Sequence, residues 1–119
     1  MKSPLHIYHL LYAVAEVKTG FEDGNVAGVL LLPPWLVHDV NTFTSRGYRL
    51  ADRVLDEVAF EIAAAYLKHY GTIYEKTYRT EAEDKELILI LHYGWNPCLE
   101  TKGADPEGIW RKVKKELGN

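Results

Sequence analysis

The sequence contains no glutamine, and it has one cysteine and one methionine in 119 residues. The lone Cys98 cannot form a disulfide within the chain. Hyperthermophile proteins are depleted in these thermolabile residue types, so the composition favours a thermophilic origin. Small-number chance in a short chain is the alternative explanation.

Long apolar segments and an excess of one charge are also missing. Apolar runs such as 26–32 and 87–91 are far shorter than the ~20 residues that a membrane helix needs. Residues 1–4 lack the features of a cleavable signal, which predicts a cytoplasmic protein. A net charge of −3 argues against general nucleic-acid binding. The composition, 47% hydrophobic and 26% charged, predicts one globular domain over residues 1–119.

The first third of the chain is predicted to form a β-hairpin over residues 12–32. Asp23-Gly24 is a strong turn signal, because both residues tolerate the positive φ of tight turns. Residues 26–32 then form a buried strand, which the two following prolines end.

Residues 4–18 also carry helix-boundary signals, with Ser3 as N-cap, Pro4 at the first helical position and Gly20 after the end. A helical wheel, however, spreads their apolar residues over all sides, without the stripe of an amphipathic helix. We therefore interpret residues 4–11 as a strand extension or a helical turn.

The longest predicted element is a helix over residues 46–70. Ser45 is its expected N-cap, and Gly71 is expected to end it in the left-handed conformation. The preceding segment 35–43 is predicted to be a third strand or a structured loop.

A second hairpin is predicted from residues 72–80, a half-exposed strand rich in Thr and Tyr, and 86–93, a buried strand. Asp105-Pro106 opens a short C-terminal helix. The predicted fold class is therefore α+β. A mainly antiparallel sheet of two hairpins, with or without a fifth strand, packs on one long central helix and a short C-terminal helix.

Three arginines, Arg46, Arg49 and Arg53, fall on one side of the long predicted helix, close to its start. Guanidinium groups and exposed backbone N–H groups at this position predict an anion or phosphate site. The alternative is local pairing of Arg49 with Asp52 and of Arg53 with the acidic residues one turn later.

Residues 46–51, Arg-Gly-Tyr-Arg-Leu-Ala, resemble the pyrophosphate loop of the GCN5-related N-acetyltransferases. In that family a hairpin and a further strand precede the loop, and a helix follows it. The resemblance implies that the start of the long helix binds acetyl-CoA through Arg46, Gly47, Arg49 and Arg53.

The same resemblance requires a base that takes a proton from an amine, and the nearest candidates are His38 and Asp39. Arg49 departs from the family pattern, which has glycine at that position. In the predicted topology, His38 and Asp39 lie at the opposite end of the domain from His69 and His92.

Four residues carry side chains that bind metals: His69, His92, Cys98 and Glu100. None of them has a recognised zinc-ligand spacing, so we predict no metal site.

The long helix carries a second apolar face, formed by Phe60, Ala64 and Leu67. Such a face requires a cover, which is either a second copy of the chain or the N-terminal segment. Tyr74 and Tyr78, on one face of the strand that follows, extend the predicted interface, because tyrosine is enriched at interfaces.

We therefore expect a small binding or assembly protein that acts through protein–protein contacts. It would self-associate and bind a further protein as an inhibitor or scaffold. No nucleophile, base and orienting group occur in a recognised pattern, so an enzyme is the less favoured class and no cofactor is expected. The alternative is an acetyl-CoA-binding enzyme, as the resemblance of residues 46–51 implies.

Overall fold

The computed structural model describes residues 2–22 and 24–118, and within them it contains helices and no β-strand. The predicted α+β fold with its two hairpins is therefore wrong. No helix in this part of the chain is long and apolar enough to cross a membrane. The helices are α1 (Pro4–Lys18), α2 (Pro34–Thr44), a 3₁₀ helix (Leu50–Val54), α3 (Asp56–Tyr78), α4 (Asp84–Tyr93), α5 (Trp95–Thr101) and α6 (Ile109–Glu116).

Helix α1 replaces the first strand of the predicted hairpin, and it starts at the boundary signals in its sequence. The His6 backbone N–H donates to the Ser3 hydroxyl oxygen at 3.2 Å, and Pro4 lies in the first turn. The helix packs against α3, α4 and α6. Because it is covered on several sides, its apolar residues do not form one stripe, and the helical wheel wrongly favoured a strand.

The predicted buried strand at 26–32 is a series of turns. Gly28 has a φ of +79° and Leu31 a φ of +51°, which are not strand values. A Cβ on Gly28 would lie 1.8 Å from the carbonyl oxygen of Arg53, so these two backbone segments meet only because residue 28 is glycine. Most of the apolar run is buried without a sheet. Asp23 of the predicted turn lies outside the described residues.

Helix α2 forms from residues 35–43, and it ends where the long helix was predicted to begin. Ser45 has a φ of +57° and is the C-cap of α2, so its prediction as an N-cap is wrong. The Asn41 side chain then makes hydrogen bonds of 2.7 and 2.8 Å to the backbone of Tyr48. These bonds hold residues 45–49 outside any helix.

The long helix exists, but α3 begins at Asp56 and continues to Tyr78. Gly71, which was predicted to end it, lies inside it. A Cβ there would be 3.7 Å from Leu87 of α4, an ordinary van der Waals distance. Most of the predicted strand 72–80 therefore forms the last turns of α3.

The predicted buried strand 86–93 is part of helix α4. Each residue of 87–91 is at most 3% exposed, because α4 packs against α1, α3, α5 and α6. A continuous apolar run of this length fits a buried strand and a buried helix equally well. The burial was predicted correctly, and the secondary structure was not.

Helix α6 begins at Ile109, a turn later than predicted. The Asp105 carboxylate still caps it, because the backbone N–H groups of Ile109 and Trp110 donate to its two oxygens at 3.0 Å. Ile109 and Val113 are buried and dock the helix on α1 and α4.

Candidate protein-interaction groove

A groove of about 480 Å³ lies between the C-terminal part of α3, helix α4 and helix α5. We call it the α3–α5 groove. Aromatic and aliphatic side chains form most of its surface, together with one acidic and one basic side chain. Its lining includes Tyr74, Tyr78, Glu86, Leu89, Ile90, Trp95, Cys98, Leu99 and Lys102.

The groove forms because the chain changes direction at Gly94, between α4 and α5. Gly94 has a φ of +97°, and the Trp35 ring lies 3.3 Å from the position of a Cβ, so both backbone and packing favour glycine here. Trp95 follows, with its ring centroid 5.7 Å from that of Tyr70 and 6.4 Å from that of Tyr74. These contacts place α5 beside the tyrosine-rich side of α3.

The floor of the groove is buried, whereas its rim is exposed. Leu89 and Ile90 are each 2% exposed and form the floor. The rings of Tyr74 and Tyr78, one helical turn apart, have centroids separated by 4.6 Å. On the rim, Tyr78 is 48% and Leu99 is 38% exposed. An apolar groove with two exposed apolar side chains on its rim is a candidate interaction site.

The titratable side chains that line the groove are a thiol, two phenols, a carboxylate and an amine. Burial raises the pKa of the Cys98 thiol, so the thiol stays protonated near neutral pH and is a poor nucleophile. Burial and then the neighbouring Glu86 carboxylate raise the pKa of Tyr74. Glu86 and Lys102, which ends α5, supply the two opposite charges.

Arg46 and Arg49 each lie beside a carboxylate, and neither residue belongs to an α-helix. Arg46 donates to Glu61 at 2.7 Å, and Arg49 lies 3.7 Å from Asp52, the local pairing that the sequence offered as an alternative. The Tyr48 hydroxyl also donates to Glu61. Burial and this hydrogen bond raise the pKa of Tyr48 to about 12.

Arg53 and Gly47 are likewise not part of an anion site at a helix start. The Arg53 guanidinium donates to the backbone carbonyl oxygens of Leu32 at 2.7 Å and Leu50 at 3.0 Å, so it joins two connecting segments. Gly47, with a φ of +69°, lies between α2 and the 3₁₀ helix. The described residues thus do not contain the loop-to-long-helix arrangement that the acetyltransferase resemblance implied.

The predicted separation of Asp39 from His69 is wrong. The hydroxyl of Tyr70, the neighbour of His69, donates to the Asp39 carboxylate. Burial and this hydrogen bond raise the pKa of Tyr70. Asp39 and His69 come together because residues 35–43 form a helix that packs along α3. His38, on the same helix, is exposed.

Helix α1 of the same chain covers the predicted apolar face of α3. Tyr8 and Tyr12 pack on Phe60, with ring centroids 6.0 and 5.4 Å away, and Phe60 is 6% exposed. Ala64 and Leu67 line a further pocket of about 410 Å³, together with Ile7 and Tyr8 of α1. The N-terminal segment therefore covers this face. Of the predicted interface residues, Tyr74 and Tyr78 lie in the α3–α5 groove.

The four candidate metal-binding residues lie apart. His69 stacks on an aromatic ring of α2 at a centroid distance of 3.7 Å, and His92 lies 3.2 Å from Glu107. Cys98 lines the groove and Glu100 is exposed on α5. Across residues 2–22 and 24–118, no group of three or more His, Cys, Asp or Glu side chains could hold a metal ion.

Sequence reasoning missed Trp95, Leu99 and Lys102, because it treated the segment after residue 93 as a break in a sheet. One signal was available. Tyrosines recur every four residues at 66, 70, 74 and 78, a spacing that places them on one side of a helix. With that helix extended to residue 78, the following tryptophan becomes a candidate neighbour of the tyrosine row.

The chain matches no protein-family model, and neither the curated proteins nor the solved structures contain a match to it.

Proposed function

We propose that this protein is a binding protein that acts through protein–protein contacts, and that its α3–α5 groove receives a second copy of the chain. The observation that carries the proposal is the apolar groove with Tyr78 and Leu99 exposed on its rim. A cytoplasmic location remains part of the proposal.

The second copy is favoured because the groove has complementary parts. A two-fold axis brings the same patch of both copies together, so the patch must complement itself. The groove combines a concave apolar surface, the exposed side chain of Leu99 and two opposite charges. In the proposed dimer, Leu99 of each copy enters the partner's groove and Glu86 faces Lys102 of the partner subunit. Apolar burial supplies most of the affinity, and the charges fix the orientation.

The enzyme alternative has less support. The resemblance to acetyltransferases implied strands before the loop and a cluster of arginines at a helix start. The described residues contain no strand, and Arg46, Arg49 and Arg53 are each engaged within the chain. We therefore propose no cofactor.

Light scattering coupled to size-exclusion chromatography tests the dimer. We expect a mass of about twice the 13.6 kDa of one chain, shifting to one chain for Leu99→Glu, because a carboxylate cannot be buried in the apolar groove without a large cost. Leu50→Glu is the matched control, since Leu50 is 47% exposed on the 3₁₀ helix, outside the groove. It should leave the mass unchanged.

A charge exchange tests the orientation. Glu86→Lys or Lys102→Glu alone should weaken the dimer by placing like charges together, and the double variant should restore it. A wild-type chain that remains monomeric up to about 1 mM, which corresponds to a binding free energy near −4 kcal/mol, would contradict the second copy as occupant. Dimerisation unaffected by Leu99→Glu would exclude this groove as the interface.

A further inference from the structure

A separate cavity of about 530 Å³ lies where the ends of α1 and α4 meet the start of α6. We call it the Lys18 cavity. Its apolar walls include Trp35 and Ile109, and Lys18, His92 and Glu107 place polar groups in it. Cavities of this size hold small organic molecules, usually through apolar walls and a few polar groups.

His92 borders the cavity and lies beside Glu107. Its Nε2 lies 3.2 Å from the Glu107 carboxylate, which assigns the ring proton to Nε2. Its Nδ1 is buried and has no hydrogen-bond partner within the described residues. Burial and the Lys18 charge lower the pKa of His92, so the ring is neutral and Nδ1 is an acceptor. Because it is buried, Nδ1 is not accessible to a molecule in the cavity, so the ring lines the cavity as a neutral group.

Lys18 contributes an amine with unusual reactivity. Burial lowers its pKa to about 8, against the opposing effect of Glu107. At pH 8, about half of the Lys18 amines are then neutral, whereas less than about 1% of an ordinary lysine is neutral. A neutral, desolvated lysine amine is a nucleophile toward carbonyl carbon.

We propose that the Lys18 cavity binds a small apolar aldehyde or ketone and that Lys18 forms an imine with it. The Lys18 Nζ forms a bond to the carbonyl carbon, and transfer of one amine hydrogen to the carbonyl oxygen gives a carbinolamine. The C–O bond then breaks, and the oxygen leaves as water with the two hydrogens of the amine. A C=N bond remains, and nothing is oxidised or reduced. This proposal goes beyond the interaction groove and does not depend on it.

Reductive trapping tests the proposal on the wild-type protein. Benzaldehyde and sodium cyanoborohydride convert an imine into a stable benzylamine, and peptide mapping by mass spectrometry locates it. We expect Lys18 to be labelled at least about tenfold faster than the exposed Lys76, in line with the difference in neutral amine. Labelling of Lys18 no faster than Lys76 would overturn the proposal. Because both lysines are in one protein, the result does not depend on a variant that folds.

A variant separates binding in the cavity from simple amine reactivity. Val17→Phe narrows the cavity, and it should slow labelling by benzaldehyde severalfold while labelling by formaldehyde is unchanged. If Val17→Phe slows both aldehydes equally or neither, Lys18 is only a reactive amine and the cavity does not bind the carbonyl compound. Circular dichroism of the variant establishes that it is folded.

Discussion

At the scale of single residues, Asp105 shows how one carboxylate connects three parts of the fold. It accepts hydrogen bonds from the Tyr93 hydroxyl at 2.7 Å and from the backbone N–H groups of Ile109 and Trp110 at 3.0 Å. Burial alone would raise its pKa, but these hydrogen bonds lower it. The start of α6 is thereby held to the end of α4.

We expect Asp105→Ala to lower the free energy of unfolding by about 0.5–2 kcal/mol at pH 7, the usual range for loss of a helix cap. Because the pKa is lower in the folded state, the stabilisation is present above the ordinary carboxyl pKa of about 3.9. It is lost as the pH falls through the lowered value. Urea unfolding of wild type and variant at neutral and acidic pH measures this.

Glu100→Ala is the control for Asp105→Ala, because Glu100 is an exposed carboxylate on α5. Its effect should be small at every pH. An Asp105→Ala penalty that is equally large in acid would show that the ionised carboxylate is not the cause.

At the scale of helices, the length of α3 determines on which element Tyr74 and Tyr78 lie. The tyrosine spacing of four residues fits one face of a helix, but it also fits one face of a strand, because four is an even number. The sequence therefore predicted correctly that Tyr74 and Tyr78 share a face. It could not predict on which kind of element they lie. Gly71 wrongly favoured an end of the long helix before Tyr74.

Gly71→Ala tests the continuous helix. In a helix interior with room for a Cβ, alanine should raise the free energy of unfolding by about 0.5–1 kcal/mol. Had Gly71 been a left-handed residue at a helix end, the same change would be destabilising. Gly47→Ala, at a φ of +69° with open space around the glycine, is the contrasting variant and should be destabilising. Chemical denaturation of both variants gives the two signs.

At the scale of the whole molecule, the fully buried side chains among the described residues all belong to hydrophobic residues. One continuous core cluster extends from α1 to α6. Burial was therefore predictable from apolar runs such as 87–91, whereas the fold class was not. A helix covered on several sides has no single apolar stripe. The periodicity of a short apolar run does not distinguish a helix from a strand. The α3–α5 groove was beyond prediction for the same reason, since it requires the packing of three helices.

We expect a melting midpoint above about 65 °C, the upper end of the ordinary mesophile range. No polar or charged residue is fully buried in the described part of the chain, which keeps the desolvation cost of the core small, and the scarcity of thermolabile residues points in the same direction. Calorimetry at neutral pH measures the midpoint. A value below this range would remove the hypothesis of a thermophilic origin.

The packing of α1 against helices that follow it in the chain has a consequence for synthesis of the protein. Helix α1 packs against α3, α4 and α6, all of which follow it in the chain. On a translating ribosome, the apolar residues of α1 emerge long before α4 and α6 exist to cover them. Until these later helices are made, the apolar residues of α1 are therefore exposed to solvent or transiently bound by another molecule. Completion of the core is thus a late event in the synthesis of these residues.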